Sequence, residues 1–131
     1  MKILIAEDDF IARKVLSNFL TKYGQIDVAE NGQMALKLFS EKLKIGEGYD
    51  LVCLDIMMPR LNGHEALKAI RRVESQQDSE TIKRAKVIMT TALDDSQNIL
   101  KSFNNQCDGY ITKPYSWDKL ETEMERVLHS G

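Results

Sequence analysis

The chain alternates short apolar runs with segments in which apolar residues recur every three or four positions. The apolar runs have the length and composition of buried β-strands, and they span residues 2–6, 26–29, 50–55, 86–91 and 109–112. Amphipathic helical periodicity is clear between them, for example in residues 12–23. The pattern predicts five strands alternating with five helices, of which the fourth begins near Ser96 and the last near Ser116.

Short apolar strands separated by amphipathic helices are typical of a parallel sheet that is covered by helices on both faces. We therefore expect an α/β protein with three layers, in which the sheet lies between two layers of helices. The chain contains no internal repeat, low-complexity tract or linker-like segment. One domain over residues 1–131 is expected.

Composition and charge narrow the class of protein. The 131 residues are 43% hydrophobic and 29% charged, which is enough apolar material for a packed core. The 18 basic and 20 acidic residues give a net charge of -2, without the basic footprint of nucleic-acid-binding domains. No apolar run approaches the ~18 residues of a membrane span, and the cytoplasm is the expected compartment. Cys53 and Cys107 have no zinc-like spacing and are expected to pack as small hydrophobic residues.

A carboxylate ends the most apolar of the runs, in the sequence DLVCLD of residues 50–55. Taken alone, Asp55 could simply begin a turn. Other predicted strands, however, end in the polar segments Glu7-Asp8-Asp9, Thr90-Thr91 and Thr112-Lys113-Pro114. Because open parallel sheets bind ligands beyond the carboxyl ends of their strands, we expect these carboxylates, hydroxyls and the ammonium to converge at one edge.

Converging carboxylates need a cation or a shared proton. Two of them ~4 Å apart repel by about 4 kcal/mol at an effective dielectric constant of about 20. An oxygen-only set of ligands suits Mg²⁺. A magnesium ion, an ammonium and a hydroxyl together match the charge of a phosphoryl group, and a carboxylate nucleophile would hold that group covalently.

Four short segments carry a family resemblance. They are EDD (7–9), DIMMPRLNG (55–63), TTA (90–92) and TKP (112–114), each at the end of a predicted strand. Together they resemble the receiver domain of bacterial two-component response regulators, most nearly the single-domain, chemotaxis-type regulators, over residues 2 to about 128. The resemblance implies a doubly wound, flavodoxin-like sheet of five parallel strands in the order 2-1-3-4-5, with five helices.

The resemblance also implies an acceptor and a metal site. Asp55 matches the phosphoacceptor. Glu7 and Asp8 match the acidic pair that holds Mg²⁺, with Asp8 as the direct ligand and Glu7 acting through water, and the backbone carbonyl of Met57 matches a further ligand. Asp9 then falls in the turn, where a helix N-cap is the natural role. The alternative for Glu7 and Asp8 is a solvated helix start.

Three further residues match switch positions of the family. Thr91, which directly precedes Ala92, matches the switch hydroxyl, and the alternative is a helix cap. Lys113 matches the lysine that pairs with the phosphate, followed by Pro114 in a cis bond, whereas the alternative is an ordinary surface lysine. Tyr110 matches the switch aromatic, and the alternative is a packing residue that never changes rotamer.

The implied reaction is phosphoryl transfer to Asp55 from a histidine kinase or a histidine phosphotransfer protein. The surface formed by the predicted fourth helix, fifth strand and fifth helix would then change for a downstream protein or a fused output domain. We expect no direct nucleic-acid or membrane binding by this domain, which promotes its own phosphorylation but is not an enzyme. The sequence leaves open whether the chain acts alone or as a module of a longer protein.

Departures from the family pattern bear on the lifetime of the signal and on rival functions. Met57 and Leu93 occupy the positions that flank the attack path, and both are apolar, so neither readily orients a water. Slow self-dephosphorylation is expected.

Two alternative functions remain open. One is a Mg²⁺-dependent phosphohydrolase, which usually carries a second acid where this chain has Met57. The other is a degenerate receiver that only binds partners.

Overall fold

The computed structural model describes residues 1–77, 83–92 and 106–129, which contain one five-stranded parallel sheet. Its strands are β1 (Lys2–Ala6), β2 (Gln25–Ala29), β3 (Leu51–Asp55), β4 (Lys86–Ala92) and β5 (Gly109–Lys113). They lie side by side in the order β2-β1-β3-β4-β5, every neighbouring pair being parallel. The predicted doubly wound order is therefore confirmed.

Four helices lie in the described part of the chain: α1 (Phe10–Leu20), α2 (Gly32–Lys44), α3 (Gly63–Ser75) and α4 (Trp117–His129). Five helices were predicted, but the one expected from about Ser96 lies outside the described residues, so only four are counted here. None of the described helices combines the length and the apolar character that crossing a membrane requires.

Side-chain caps fix where three of the helices begin. Asp9, Asn31 and Asn62 each accept a hydrogen bond from the backbone N–H three residues later, at 3.1, 2.8 and 2.9 Å. Such caps satisfy amide groups that the first helical turn leaves without partners. The N-cap role expected for Asp9 is confirmed.

The sheet separates two apolar layers, because alternate residues of a strand face opposite sides. One layer contains Leu4, Val52 and residues of α2 and α3. The other contains Ile5, Cys53 and residues of α1 and α4. The central strand β3 is buried throughout, as its composition predicts, whereas β2 lies at an edge of the sheet and exposes 45% of Val28.

The connection from α2 to β3 lies at the amino edge of the sheet, opposite the carboxyl ends of the strands. Gly46 adopts a φ of 76° there, a conformation that favours glycine. A Cβ atom added to Gly46 would meet nothing within 4 Å, so the turn is open to solvent.

Candidate functional site

The site is built on a row of side chains along the carboxyl edge of the sheet. Asp55 is the register partner of Thr90, and Glu7 directly follows Ala6, which pairs with Leu54. The whole residues Glu7 and Asp55 are only 1% and 3% exposed. Because buried carboxylates are costly unless they are compensated, this edge of the sheet must supply positive charge.

Three carboxylates converge as predicted. One oxygen each from Glu7, Asp8 and Asp55 lies within 4.8 Å of the other two, and Asp8 is the exposed member of the group. All three offer hard oxygen ligands, which suit Mg²⁺ better than a softer metal. The donor set therefore fits the magnesium ion that the sequence predicts.

Lys113 lies among these acids rather than on open surface. Its Nζ atom is 2.6 Å from Glu7 Oε1 and 3.2 Å from Asp55 Oδ2. The contact with Glu7 is an ion pair, since Oε1 accepts no well-aligned hydrogen bond from the described residues. Burial acts to lower the pKa of Lys113, but the two carboxylates outweigh it and raise the pKa, which keeps the amine charged. The Lys113–Pro114 bond is cis, as expected.

Glu7 holds its proton more tightly than an ordinary carboxylic acid does. Burial, together with a hydrogen bond to Asp55, raises the pKa of Glu7 to about 7, although Lys113 acts in the opposite direction. One ammonium therefore does not fully compensate the carboxylates around it, and a further cation would stabilise them in their ionised form.

The loop after β3 positions Asp55 through its backbone. The Met57 N–H donates to Asp55 Oδ1 at 3.2 Å, while the residue Met57 as a whole is 64% exposed. A Cβ atom on Gly63 would lie only 2.4 Å from the Asp55 carbonyl oxygen, so only glycine lets α3 begin this close to the strand end. This close contact with the backbone of Asp55 explains why a glycine occupies position 63.

The two predicted switch residues lie outside the cluster of acids: Thr91 is near the carboxyl end of β4, whereas Tyr110 is the second residue of β5 and pairs with Met89. Thr91 is 1% exposed, and within the described chain its hydroxyl donates to the Ala92 carbonyl at 3.4 Å rather than to Asp55. Tyr110 is 51% exposed, and its N–H donates to Glu123 Oε2 at 2.9 Å. Leu93 lies outside the described residues.

Two residues near the site have positions that the sequence did not predict. Arg13 donates from Nη1 to the Glu7 carbonyl at 2.9 Å, which holds the end of β1. The Tyr115 hydroxyl oxygen is buried close to the site. Two features of the sequence could have drawn attention to these residues. Arg13 lies on the polar side of the predicted first helix, and Tyr115 is an aromatic residue directly after Pro114.

Comparisons with families, with curated proteins and with solved structures agree on one family. Residues 3–125 match the family described as the response regulator receiver domain. Regulatory protein VanRB of Enterococcus faecalis is 32% identical over 126 residues, which are 96% of this chain and 51% of the relative. The chain thus spans about half the length of this curated relative.

Solved structures share the fold. A CheX–CheY–BeF₃–Mg²⁺ complex from Borrelia burgdorferi contains a chain with a TM-score of 0.82 and 26% identity, covering 99% of this chain and 90% of that one. The complex of the phosphotransfer protein Ypd1 with the Ssk1 receiver domain, from Saccharomyces cerevisiae, gives a TM-score of 0.77 and 28% identity, covering 98% and 89%.

Proposed function

Because the chain belongs to the response regulator receiver domain family of two-component signalling, we propose that it is a signalling switch whose Asp55 accepts a phosphoryl group. The observation that carries the proposal is the position of Asp55. Its carboxylate is buried, lies within 4.8 Å of the Glu7 and Asp8 carboxylates, and contacts the Lys113 ammonium at 3.2 Å. We further propose that residues 1–131 form one receiver domain.

The proposed reaction is a transfer between two side chains. An Asp55 oxygen attacks the phosphorus of a phosphohistidine on a histidine kinase or a histidine phosphotransfer protein. The phosphorus–nitrogen bond breaks, and the donor's imidazole keeps the electron pair and takes up a proton. Lys113 offsets negative charge on the phosphoryl oxygens, and the Thr91 hydroxyl donates a hydrogen bond to one of them.

Glu7, Asp8, Asp55 and the backbone carbonyl of Met57 would hold Mg²⁺, with Asp8 as a direct ligand and Glu7 acting through water. The ion supplies positive charge next to the phosphoryl oxygens. A solved structure similar to this chain contains Mg²⁺ and BeF₃, and another pairs a receiver domain with a histidine phosphotransfer protein, which supports both the cofactor and the donor class.

The output of the switch would be a change of surface. Withdrawal of Thr91 towards the phosphoryl group leaves space that the Tyr110 ring could enter from its exposed position. The surface of β5, α4 and the predicted helix that precedes β5 would then favour a different partner state. The reader of that surface is a separate protein or a fused output domain, and the greater length of VanRB supports the second arrangement.

Incubation with Mg²⁺ and a small acyl phosphate, followed by intact-mass measurement, tests the proposal. A mass gain of one phosphoryl group is expected for the wild type and is expected to disappear in Asp55→Asn. Asp9→Asn is the matched control, because asparagine preserves the N-cap and the mass gain should persist. Consumption of the donor without an adduct would support a phosphohydrolase, and neither adduct nor turnover would support a degenerate receiver.

A further inference from the structure

The side chain of Arg13 turns back from α1 to the end of β1. Its Nη1 atom donates to the Glu7 carbonyl at 2.9 Å, and the side chain is only 15% exposed. The guanidinium carbon also lies 5.6 Å from the centre of the Phe10 ring. A guanidinium presents its donors in a rigid, planar fork, so it fixes an acceptor more narrowly than a flexible ammonium does. Arg13 therefore places a fixed donor where the acidic segment begins.

Hydrogen bonds hold the backbone on both sides of Asp8. The Glu7 N–H donates to the Ala29 carbonyl at 3.0 Å, and the Asp9 N–H donates to Glu7 Oε2 at 3.3 Å. The Arg13 N–H donates to the Asp9 carbonyl at 2.9 Å. Arg13 thus contacts the residue before Asp8 with its side chain and the residue after Asp8 with its backbone.

The carbonyl that Arg13 contacts belongs to the peptide group that joins Glu7 to Asp8. Because a peptide group is planar, a donor that fixes its oxygen also fixes the position of the Asp8 Cα atom. Asp8 is exposed, yet one of its oxygens lies within 4.8 Å of oxygens of Glu7 and Asp55. An exposed side chain is not oriented by packing, so the backbone decides where the Asp8 carboxylate can reach.

We propose that Arg13 is a positioning residue for Asp8, because its side chain fixes the Glu7–Asp8 peptide group and so orients the Asp8 carboxylate for Mg²⁺. The inference rests on the proposed function, in which Asp8 is a direct ligand. A ligand that is already oriented loses less conformational freedom when the ion binds, and the ion is bound more tightly for that reason.

The charge of Arg13 acts in the opposite direction to its hydrogen bond. A guanidinium near the acids repels a divalent cation, so removal of the charge alone would tighten Mg²⁺ binding. Removal of the hydrogen bond would weaken Mg²⁺ binding. The direction of the change in Mg²⁺ affinity therefore separates positioning from simple electrostatics.

The test compares Arg13→Met and Arg13→Lys with Arg126→Met. Arg126 is the matched control, since its Nη2 atom also donates to a backbone carbonyl at 2.9 Å, that of Asp108, directly before β5 at the other edge of the sheet. Calorimetric titration with MgCl₂ is expected to show about tenfold weaker binding for Arg13→Met. A smaller loss is expected for Arg13→Lys, which keeps a donor, and wild-type binding is expected for Arg126→Met.

Acyl-phosphate labelling of Asp55 gives a second readout. Arg13→Met should need about tenfold more Mg²⁺ for half-maximal labelling. The rate at saturating Mg²⁺ should return to the wild-type value, because the bound ion then orders Asp8 itself. Glu30→Gln should change neither quantity, because the Glu30 side chain is 69% exposed and its Oε1 atom is 4.0 Å from Arg13 Nη2, too far for a hydrogen bond.

Unchanged or tighter Mg²⁺ binding by Arg13→Met would overturn the inference. So would an equal loss of affinity in Arg126→Met, because the loss of any such arginine would then loosen the site. If Arg13→Met does not fold, Arg13→Lys takes its place, and wild-type affinity in that variant would overturn the inference. A wild type that does not bind Mg²⁺ would instead overturn the proposed function, and the wild-type titration is read separately from those of the variants.

Discussion

The Nζ atom of Lys113 lies 2.6 Å from Oε1 of Glu7, closer than the 3.2 Å that separates it from Asp55 Oδ2. Glu7 follows β1 and Lys113 ends β5, and these two strands are not neighbours in the sheet. A single ammonium thus spans the end of β3 and links the acidic pair to the phosphoacceptor proposed here. Removal of this ammonium should therefore destabilise the ionised forms of both carboxylates.

Lys113→Met should lower the free energy of unfolding by about 2–3 kcal/mol in the absence of Mg²⁺. This is less than the cost of breaking a fully buried ion pair, because Glu7 can take up a proton. Urea unfolding near neutral pH measures the change. The control is Lys42→Met, which removes an exposed ion pair with Glu47 at 3.8 Å and should cost at most about 0.5 kcal/mol. Equal losses in the two variants would contradict the role assigned to Lys113.

The stability of the metal-free protein should depend on pH through Glu7. Because burial and Asp55 raise the pKa of Glu7 from 4.5 to about 7, the folded protein holds this proton more tightly than the unfolded chain. The resulting stabilisation is complete below pH 4.5 and is lost as the pH rises through about 7. Relative to Glu7→Gln, the wild type should therefore lose stability over this window, as measured by urea unfolding at several pH values. Parallel pH profiles for the two proteins would disprove the assignment.

Gly63→Ala should impair both the fold and labelling of Asp55. The added methyl group would lie 2.4 Å from the Asp55 carbonyl oxygen, so the strand end or α3 must move. A loss of about 1–3 kcal/mol is expected from overpacking, with slower acyl-phosphate labelling of the variant. Gly48→Ala is the control, because its methyl group would meet only the end of the Leu43 side chain, at 3.2 Å. Labelling at the wild-type rate in Gly63→Ala would show that this close contact does not position Asp55.

The phosphorylated form should be long-lived, because Met57 and Leu93 supply no polar group to orient a water. Replacing both with asparagine should speed loss of the phosphoryl group by about tenfold, a modest share of what positioning a reactant can contribute. Loss of the phosphoryl mass over time measures the rate. Met34→Asn changes another exposed methionine, on α2, and should leave the rate unchanged. An unchanged or slower rate in the double variant would refute the hypothesis.

The strands and the convergence of the acids could be predicted from local features of the sequence, whereas the strand order was implied by the family resemblance. The apolar runs define the strands, and parallel topology brings their ends to one edge, so Glu7, Asp8, Asp55 and Lys113 meet as expected. The caps at Asp9 and Asn31 are also local, since each cap contacts the chain three residues ahead.

Contacts between distant loops could not be predicted in this way. Arg71 Nη2 contacts Asp108 Oδ2 at 3.2 Å across 37 positions of sequence, and the two side chains are only 11% and 21% exposed. Nothing local distinguishes these residues from solvated surface charges. The position of the Tyr115 hydroxyl was missed for a similar reason, because it depends on how the chain after Pro114 packs against the apolar layer between the sheet and the helices α1 and α4.

The sequence of the turn at Gly46 can vary, whereas the residues of the acidic site cannot. It is open to solvent at the amino edge of the sheet, whereas Glu7, Asp55 and Lys113 lie at the carboxyl edge. Extra sequence inserted at Gly46, such as an affinity tag or a reporter, would not touch the acidic site. The scaffold can therefore acquire new attachments on one side over evolution, or in the laboratory, without rebuilding its chemistry on the other.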